Sequence, residues 1–250
     1  MGRFATAADY YNYREPYPPE FFAHVASRLL LNPKTTMLDI GCGPGNLAIG
    51  FAPFVGACVA IDIEHTMLSA AVAAAKAANV KIFFIQQAIE QLFPAPDSYD
   101  FVTIGRALHW LSPELTLGVL EKIVSPEGRI AICGSIASDS PVNAWNEEFR
   151  RVRRAWASDP DESKYRIDVG HWFAHSGFRK LDEVQVLHRH RVSVPHLLAR
   201  ALSFSNASPE VLAERRPEFE AEIASALAPF ATDNSVEEEL LVKATIVGRT

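Results

Sequence analysis

Hydrophobic and polar positions alternate in two rhythms along this chain. Short runs of β-branched and aromatic residues are each followed by a longer segment whose apolar residues recur every three or four positions. The runs predict buried strands and the longer segments predict amphipathic helices, an alternation typical of a parallel sheet covered by helices. The pattern predicts five strands in the first half of the chain, at 35–40, 57–62, 81–85, 99–104 and 129–133.

The rhythm changes after residue 138. A helix is predicted to begin at Ser140 and Pro141, and helical segments are predicted across about 195–229. Residues 183–194 and 240–249 alternate as two further strands. The pattern therefore predicts an α/β sandwich with a seven-stranded, mostly parallel sheet, in a single domain over 1–250.

Composition limits the class of protein. With 250 residues, 48% of them hydrophobic, the chain can bury one sizeable core. Its net charge of −6 argues against a protein that holds nucleic acid by bulk electrostatics. Its three cysteines have no metal-binding spacing, and no apolar run is long enough for a signal peptide or a membrane span. We expect a cytoplasmic protein without a metal site or membrane partner.

A glycine-rich turn follows the first predicted strand. Gly41, Gly43 and Gly45 stand between this strand and a helix predicted to begin near Asn46. Glycines there let the backbone turn sharply and approach a ligand closely, at the edge where open α/β sheets bind ligands. Because such turns are common, the glycines alone identify no ligand.

Two acidic residues narrow the choice of ligand. Asp62 ends the second strand, where a carboxylate can accept hydrogen bonds from both ribose hydroxyls of a nucleoside. Asp39 precedes the turn, so a pyrophosphate there would meet a like charge; at about 4 Å this repulsion is about 1 kcal/mol in water and several-fold more in a drier cleft. Asn46 also departs from the dinucleotide fingerprint. These residues favour a cationic nucleoside without phosphate.

Residues 38–46, LDIGCGPGN, resemble the first motif of the class I S-adenosylmethionine-dependent methyltransferases. The resemblance implies a Rossmann-like three-layer sandwich, S-adenosylmethionine as cofactor and S-adenosylhomocysteine as product. It also implies a small helical cap over the C-terminal edge of the strands, formed by an arm at 1–20 and by 135–180 and 195–232.

The resemblance continues on both sides of the first motif. In AIDIEHTML, 60–68, the family places an apolar side chain against adenine, which corresponds to Met67, although this residue taken alone fits a core methionine on a helix better. Ala88 departs from the family's Asp or Ser beside adenine, so either Gln87 or backbone and water replace that contact. YYNYREPYP, 10–18, is similar to a segment of small-molecule methyltransferases in which Arg14 would pair with the methionine carboxylate of the cofactor, unless it is a surface arginine. The predicted cofactor-binding residues are Tyr10, Arg14, Asp39, Gly41, Cys42, Gly43, Asp62, Ile63, Met67, Ala88, Ile89 and Arg106.

A His-Trp pair follows the fourth strand, where an acceptor would face the methyl group. This pair resembles the His-Trp that the family's small-molecule branch, including trans-aconitate-type carboxyl methyltransferases, carries after the same strand. His109 is the predicted catalytic residue, orienting the acceptor first and serving as a general base second, and Trp110 would form an apolar wall. Both residues also fit a purely structural role before Ser112.

The sequence thus predicts methyl transfer to a small-molecule acceptor, at oxygen and on a carboxylate. Two other classes stay open: an NAD-dependent oxidoreductase, and a non-catalytic module that binds S-adenosylmethionine. A methyltransferase acting on transfer RNA or protein is disfavoured by the acidic balance. The oligomeric state is undetermined.

Overall fold

The computed structural model describes residues 8–93, 95–159, 161, 167–204 and 206–249. Its strands are β1 (Thr36–Ile40), β2 (Ala57–Asp62), β3 (Phe83–Gln86), β4 (Tyr99–Gly105), β5 (Val124–Ala137), β6 (Phe178–Ser193) and β7 (Ser235–Arg249). Its α-helices are α1 (Ala8–Tyr11), α2 (Pro19–Arg28), α3 (Asn46–Phe51), α4 (His65–Ala77), α5 (Pro113–Ile123), α6 (Trp145–Trp156), α7 (Val169–Trp172), α8 (Val194–Leu202), α9 (Pro209–Leu212) and α10 (Arg216–Leu227).

The strands form a seven-stranded sheet in the order β3-β2-β1-β4-β5-β7-β6. β1 lies between β2 and β4 and is parallel to both, and β2–β3 and β4–β5 are parallel pairs. The predicted fold class, a mostly parallel α/β sandwich, is confirmed. Because the strand order reverses direction at β1, the C-terminal ends of β1 and β4 lie at the position where open sheets bind ligands.

Several boundaries differ from those predicted. β5 begins at Val124, five residues before the predicted start, because the Pro-Glu-Gly segment is extended and the register with β4 shifts there. Ser112 followed by Pro113 predicts a helix start, with a capping hydroxyl before a residue of preset φ. In the structure α5 does begin at Pro113, but the Ser112 side chain makes no capping hydrogen bond. The helix predicted from Ser140 begins as a 3-10 turn, in which the Ser140 hydroxyl accepts from Val142 N at 3.4 Å.

The chain divides into two compact units. The first unit comprises the described residues of 17–134, 164–186 and 242–250. Its core is a buried cluster in which strand residues such as Leu38, Ile61 and Ile104 pack with Leu120 of α5 and Phe173 after α7. This unit contains the glycine turn and both acids singled out by the sequence.

The second unit comprises the described residues of 1–16, 135–163 and 187–241. Its apolar core includes Trp145 and Phe149 of α6 and Leu197 of α8. A buried ion pair joins α8 to β7, with the Arg200 guanidinium donating to both carboxylate oxygens of Glu238 at 2.6 and 2.9 Å. Most of the predicted cap falls in this unit. Its placement over the strand ends, and the single-domain organisation, stay predictions.

None of the helices in the described part of the chain is long and apolar enough to cross a bilayer. The same residues contain no group of three or more His, Cys, Asp or Glu side chains placed to hold a metal ion.

Candidate functional site

The Asp39 carboxylate lies behind the glycine turn. Asp39 is in register with Thr103 on the neighbouring β4, and the Thr103 hydroxyl donates to its Oδ1 at 2.7 Å. Its Oδ2 accepts from the Ala48 N–H of α3 at 3.1 Å. The side chain is only 1% exposed, and desolvation raises its pKa to about 7 against the opposing effect of these two hydrogen bonds. The two hydrogen bonds of the Asp39 carboxylate thus hold the glycine turn from beneath. Because its pKa is about 7, this buried acid changes its charge near neutral pH.

The three glycines of the turn all have left-handed backbones. Their φ angles are +62° at Gly41, +53° at Gly43 and +87° at Gly45, a region that non-glycine residues rarely occupy. A Cβ on Gly41 would lie 2.7 Å from Ala107 Cβ, and one on Gly45 would lie 3.2 Å from Ala71 Cβ. The turn therefore needs glycine both for its left-handed conformation and for its close packing. The chain passes from Gly45 directly into α3.

Asp62 holds the turn from the side of β2. Its Oδ2 accepts from Gly43 N at 2.8 Å, and its Oδ1 accepts from Glu64 N at 2.9 Å. The residue is half-buried, unlike Asp39, so its carboxylate keeps access to solvent. A carboxylate at a strand end with one side fixed by backbone N–H groups has lone pairs left to accept from hydroxyl donors.

The predicted adenine-side residues follow β2 and β3 in the first unit. Ile63 is 63% exposed, whereas Met67 and Ile89 are buried in the core. Ala88 is half-buried and has an extended backbone before a 3-10 turn. The Gln87 side-chain amide donates to Gln91 O, so the polar group considered as a replacement at Ala88 is held by its own loop.

The turn after β4 packs against the glycine turn through Ala107. Arg106 has a left-handed backbone with φ +56°, and its guanidinium lies 4.9 Å from the centroid of the Tyr17 ring. His109 and Trp110 form a 3-10 turn, with ring centroids 4.7 Å apart. Trp110 is 42% exposed and His109 is half-buried, so the predicted acceptor-side pair presents an aromatic surface at the end of β4.

Tyr10 and Arg14 lie in the second unit. The Arg14 side chain donates to Ser203 O at 3.0 Å and its guanidinium lies 3.8 Å from the centroid of the Phe204 ring. The Tyr10 ring faces the Arg216 guanidinium at 5.6 Å. Their roles toward the cofactor stay predictions, as do the roles of the other residues assigned from the resemblance.

Sequence reasoning assigned no role to Thr103, Ala107 and Tyr17. Thr103 is buried among Phe101, Val102 and Ile104 of β4, and this polar residue within an apolar run was the available signal. Ala107 shapes the turn by lying close to where a Cβ on Gly41 would be. The Tyr17 ring packs against the Arg106 guanidinium, and its hydroxyl would lie 3.4 Å from a Cβ on Gly105. Contacts of this kind leave no mark in a single sequence.

Comparison with known proteins shows that the region around the glycine turn is similar to methyltransferases. A family profile described as a methyltransferase domain matches residues 37–128. The methyltransferase YcgJ of Bacillus subtilis is 31% identical over 109 residues, which are 42% of this chain and 43% of YcgJ. The chain thus aligns with less than half the length of that relative.

Solved structures share the fold of the whole chain. A protein from Anaeromyxobacter dehalogenans assigned as a type II methyltransferase matches with a TM-score of 0.70 and 20% identity, over 94% of this chain and 97% of that one. A methyltransferase from Geobacter sulfurreducens, solved in complex with S-adenosyl-L-homocysteine, matches with a TM-score of 0.58 and 17% identity, over 99% and 98%. At these identities the likeness establishes the architecture.

We expect Gly41→Ala to lower the free energy of unfolding by about 1–3 kcal/mol, because alanine at φ +62° is strained and its Cβ would meet Ala107. Urea unfolding measures the change. Gly118→Ala is the matched control: Gly118 lies within α5 with open space around it, so alanine there should raise stability by about 0.5–1 kcal/mol. Equal stability of the Gly41 variant and the native chain would contradict the strained turn.

Proposed function

We propose that this chain, which belongs to the class I S-adenosylmethionine-dependent methyltransferases, binds S-adenosylmethionine at the glycine turn and transfers its methyl group to a small organic acceptor. The observation that carries the proposal is the buried Asp39 carboxylate beneath a glycine turn that admits no Cβ at Gly41. A buried acid favours a cationic ligand, and S-adenosylmethionine carries a sulfonium and an ammonium but no phosphate.

The residues present fit this cofactor. Gly41, Gly43 and Gly45 carry no side chain, so a ligand can approach the backbone of the turn closely at these positions. Asp62 would accept hydrogen bonds from the ribose hydroxyls; in support, Gly43 N and Glu64 N fix its carboxylate at the end of β2. Exposed Ile63 and the loop at Ala88 and Ile89 would border the adenine, and Arg106 would face the methionine carboxylate.

The residues on the acceptor side would act mainly by orientation. When bound, S-adenosylmethionine supplies an electrophilic methyl group, which an acceptor lone pair attacks as neutral S-adenosylhomocysteine leaves. His109 would hold the acceptor by a hydrogen bond and accept its proton where the attacking group is a hydroxyl. Trp110, at the same 3-10 turn, would exclude water with its exposed ring. A carboxylate acceptor needs no base, and for it His109 would only donate a hydrogen bond.

The finer assignment is transfer to oxygen, on a carboxylate. Its support is the His109–Trp110 pair at the end of β4, where trans-aconitate-type methyltransferases also carry His-Trp. The net charge of −6 supports a small-molecule acceptor over nucleic acid. The cap over the strand ends, the single domain and the cytoplasmic location belong to the same proposal.

Binding distinguishes this proposal from a dinucleotide enzyme. Isothermal titration calorimetry of the native chain should give micromolar binding of S-adenosylhomocysteine and no heat with NAD. Asp62→Ala should weaken the binding of S-adenosylhomocysteine at least about tenfold, because about 1.4 kcal/mol of hydrogen bonding to ribose is lost. Glu127→Ala, at a carboxylate 96% exposed at its side chain, is the control and should bind normally. Binding of NAD in place of the sulfonium donor would refute the proposal.

The affinity for S-adenosylmethionine should depend on pH through Asp39. The unliganded carboxyl has a pKa of about 7, and a bound cation favours its ionised form. Binding below pH 7 therefore takes a proton from Asp39, and the affinity should fall by up to about tenfold per pH unit. The raised pKa of Asp39 also makes the stability of the unliganded fold depend on pH. The protonated carboxyl contributes its full stabilisation below the pKa that Asp39 has in the unfolded chain, and this contribution is lost as the pH rises through about 7.

Calorimetry of S-adenosylmethionine binding between pH 6 and 8 measures this dependence. Asp39→Asn should remove it and weaken binding at pH 8, because asparagine has no charge to offer the cation. S-adenosylhomocysteine lacks the sulfonium and should show a shallower dependence. A native affinity that is constant over this range would exclude Asp39 as an electrostatic contributor.

Methyl transfer itself tests the acceptor side. Radiolabelled S-adenosylmethionine incubated with a panel of carboxylic acids and phenols should label at least one of them. His109→Asn should lower kcat for that acceptor by about 10²-fold if a proton is taken, or raise KM with kcat nearly unchanged if the residue only orients a carboxylate. Binding of S-adenosylhomocysteine should stay normal in this variant. Absence of labelled product from the whole panel, with the cofactor bound, would favour a non-catalytic binding module.

A further inference from the structure

The two edges of the sheet differ in how they are protected. β6 forms one edge and carries the exposed charged side chains of Arg179, Lys180, Arg189 and Arg191, which oppose pairing with another strand. β3 forms the other edge, and no described strand pairs with its open side. Its sequence from Phe83 to Gln86 is FFIQ and contains no charge and no proline. Phe83 is 70% exposed and Ile85 is 39% exposed.

The hydrogen bonds of β3 determine which backbone groups face the open edge. Asp62 is in register with Gln86, and Gln87 N donates to Asp62 O at 3.0 Å. In a parallel pair, alternate residues direct their N–H and C=O toward the same neighbour. Ile85 and Gln87 therefore face β2, and Phe84 and Gln86 direct their N–H and C=O groups to the open side.

The exposed side chains continue the core of the first unit beyond this edge. Phe83 and Ile85 are in register with Val59 and Ile61, so all four project from the same face of the sheet. Ile61 belongs to the buried cluster on that face, together with Ile89 and Leu92. Phe93, next to Leu92, is 92% exposed. An apolar surface thus reaches the open strand and stays uncovered in the single chain.

We propose that β3 pairs with β3 of a second copy of this chain, antiparallel about a twofold axis at Phe84. In this register the two Phe84 residues exchange both backbone hydrogen bonds, as the outward direction of their N–H and C=O groups allows. Phe83 of each copy lies opposite Ile85 of the other, which places four apolar side chains on one face. One symmetric register therefore pairs the outward backbone groups of Phe84 and also covers the exposed side chains of Phe83 and Ile85.

Charge placement favours the second copy in this orientation. Lys81, exposed just before the strand, would lie opposite the neutral Gln87 of the other copy. The two Lys81 residues would be separated by about 20 Å, given a rise of about 3.3 Å per residue, which is beyond the screening length at physiological salt. Parallel pairing would bring the two lysines side by side. The interface is therefore isologous and closes as a dimer.

Sedimentation velocity over a dilution series of the full chain tests this interface. The native chain should show a monomer–dimer equilibrium, and Phe83→Lys should raise the dimer dissociation constant at least about tenfold, because the charge would be buried against Ile85. Since Phe83 is already exposed in the monomer, the variant should fold normally and keep its binding of S-adenosylhomocysteine. Leu115→Lys, at a residue of α5 that is 58% exposed, is the matched control and should leave the dissociation constant unchanged.

The register has its own test. In the double variant Phe83→Lys with Ile85→Glu, the twofold pairing places Lys opposite Glu twice, so dimerisation should return. A native chain that sediments as a monomer throughout the series would overturn the proposal. So would a dimer that Phe83→Lys leaves intact, or a double variant that stays as dissociated as the single one.

Discussion

Asp39 joins three elements through one carboxylate. It lies one residue before the end of β1, and it accepts hydrogen bonds from the Thr103 hydroxyl of β4 and from the Ala48 N–H in the first turn of α3. These bonds fix where the chain can turn between β1 and α3, and the turn then has to pass close to Ala107. The glycines are a consequence of this constraint, since a left-handed backbone disfavours other residues and a Cβ at Gly41 would meet Ala107.

Burying this carboxylate has an energetic consequence that the site can use. Two hydrogen bonds compensate for part of the lost hydration, and desolvation nevertheless raises the pKa to about 7. A neighbouring cation stabilises the ionised form, whereas a phosphate destabilises it. Asp62 adds a second negative charge at the adjacent strand end, and its charge also contributes to the raised pKa of Asp39. The preference for a cationic nucleoside is therefore built into the hydrogen bonds that shape the turn.

The sequence predicted those features that depend on local pattern. Runs such as ACVAID at 57–62 and the change of rhythm after 138 identified the seven strands, because side-chain alternation reports which face of a strand is buried. The glycines and both acids were found because the turn requires these residue types. The early start of β5 and the missing side-chain cap at Ser112 were not found, because register shifts and hydroxyl rotamers depend on tertiary neighbours. Thr103 was missed for the same reason.

Cofactor and acceptor leave different traces in a chain of this kind. A cationic nucleoside requires fixed charge and a close backbone, and Asp39 of β1, the glycines that follow it and Asp62 at the end of β2 are residue types that meet these requirements. Methyl transfer from a sulfonium requires alignment and exclusion of water more than a set of acids and bases, so its acceptor is selected by shape. In the proposed function, residues such as Trp110 act through the area that they cover, and many sequences provide equivalent surfaces. This difference explains why the glycine turn indicates the class of cofactor more sharply than the turn after β4 indicates the acceptor.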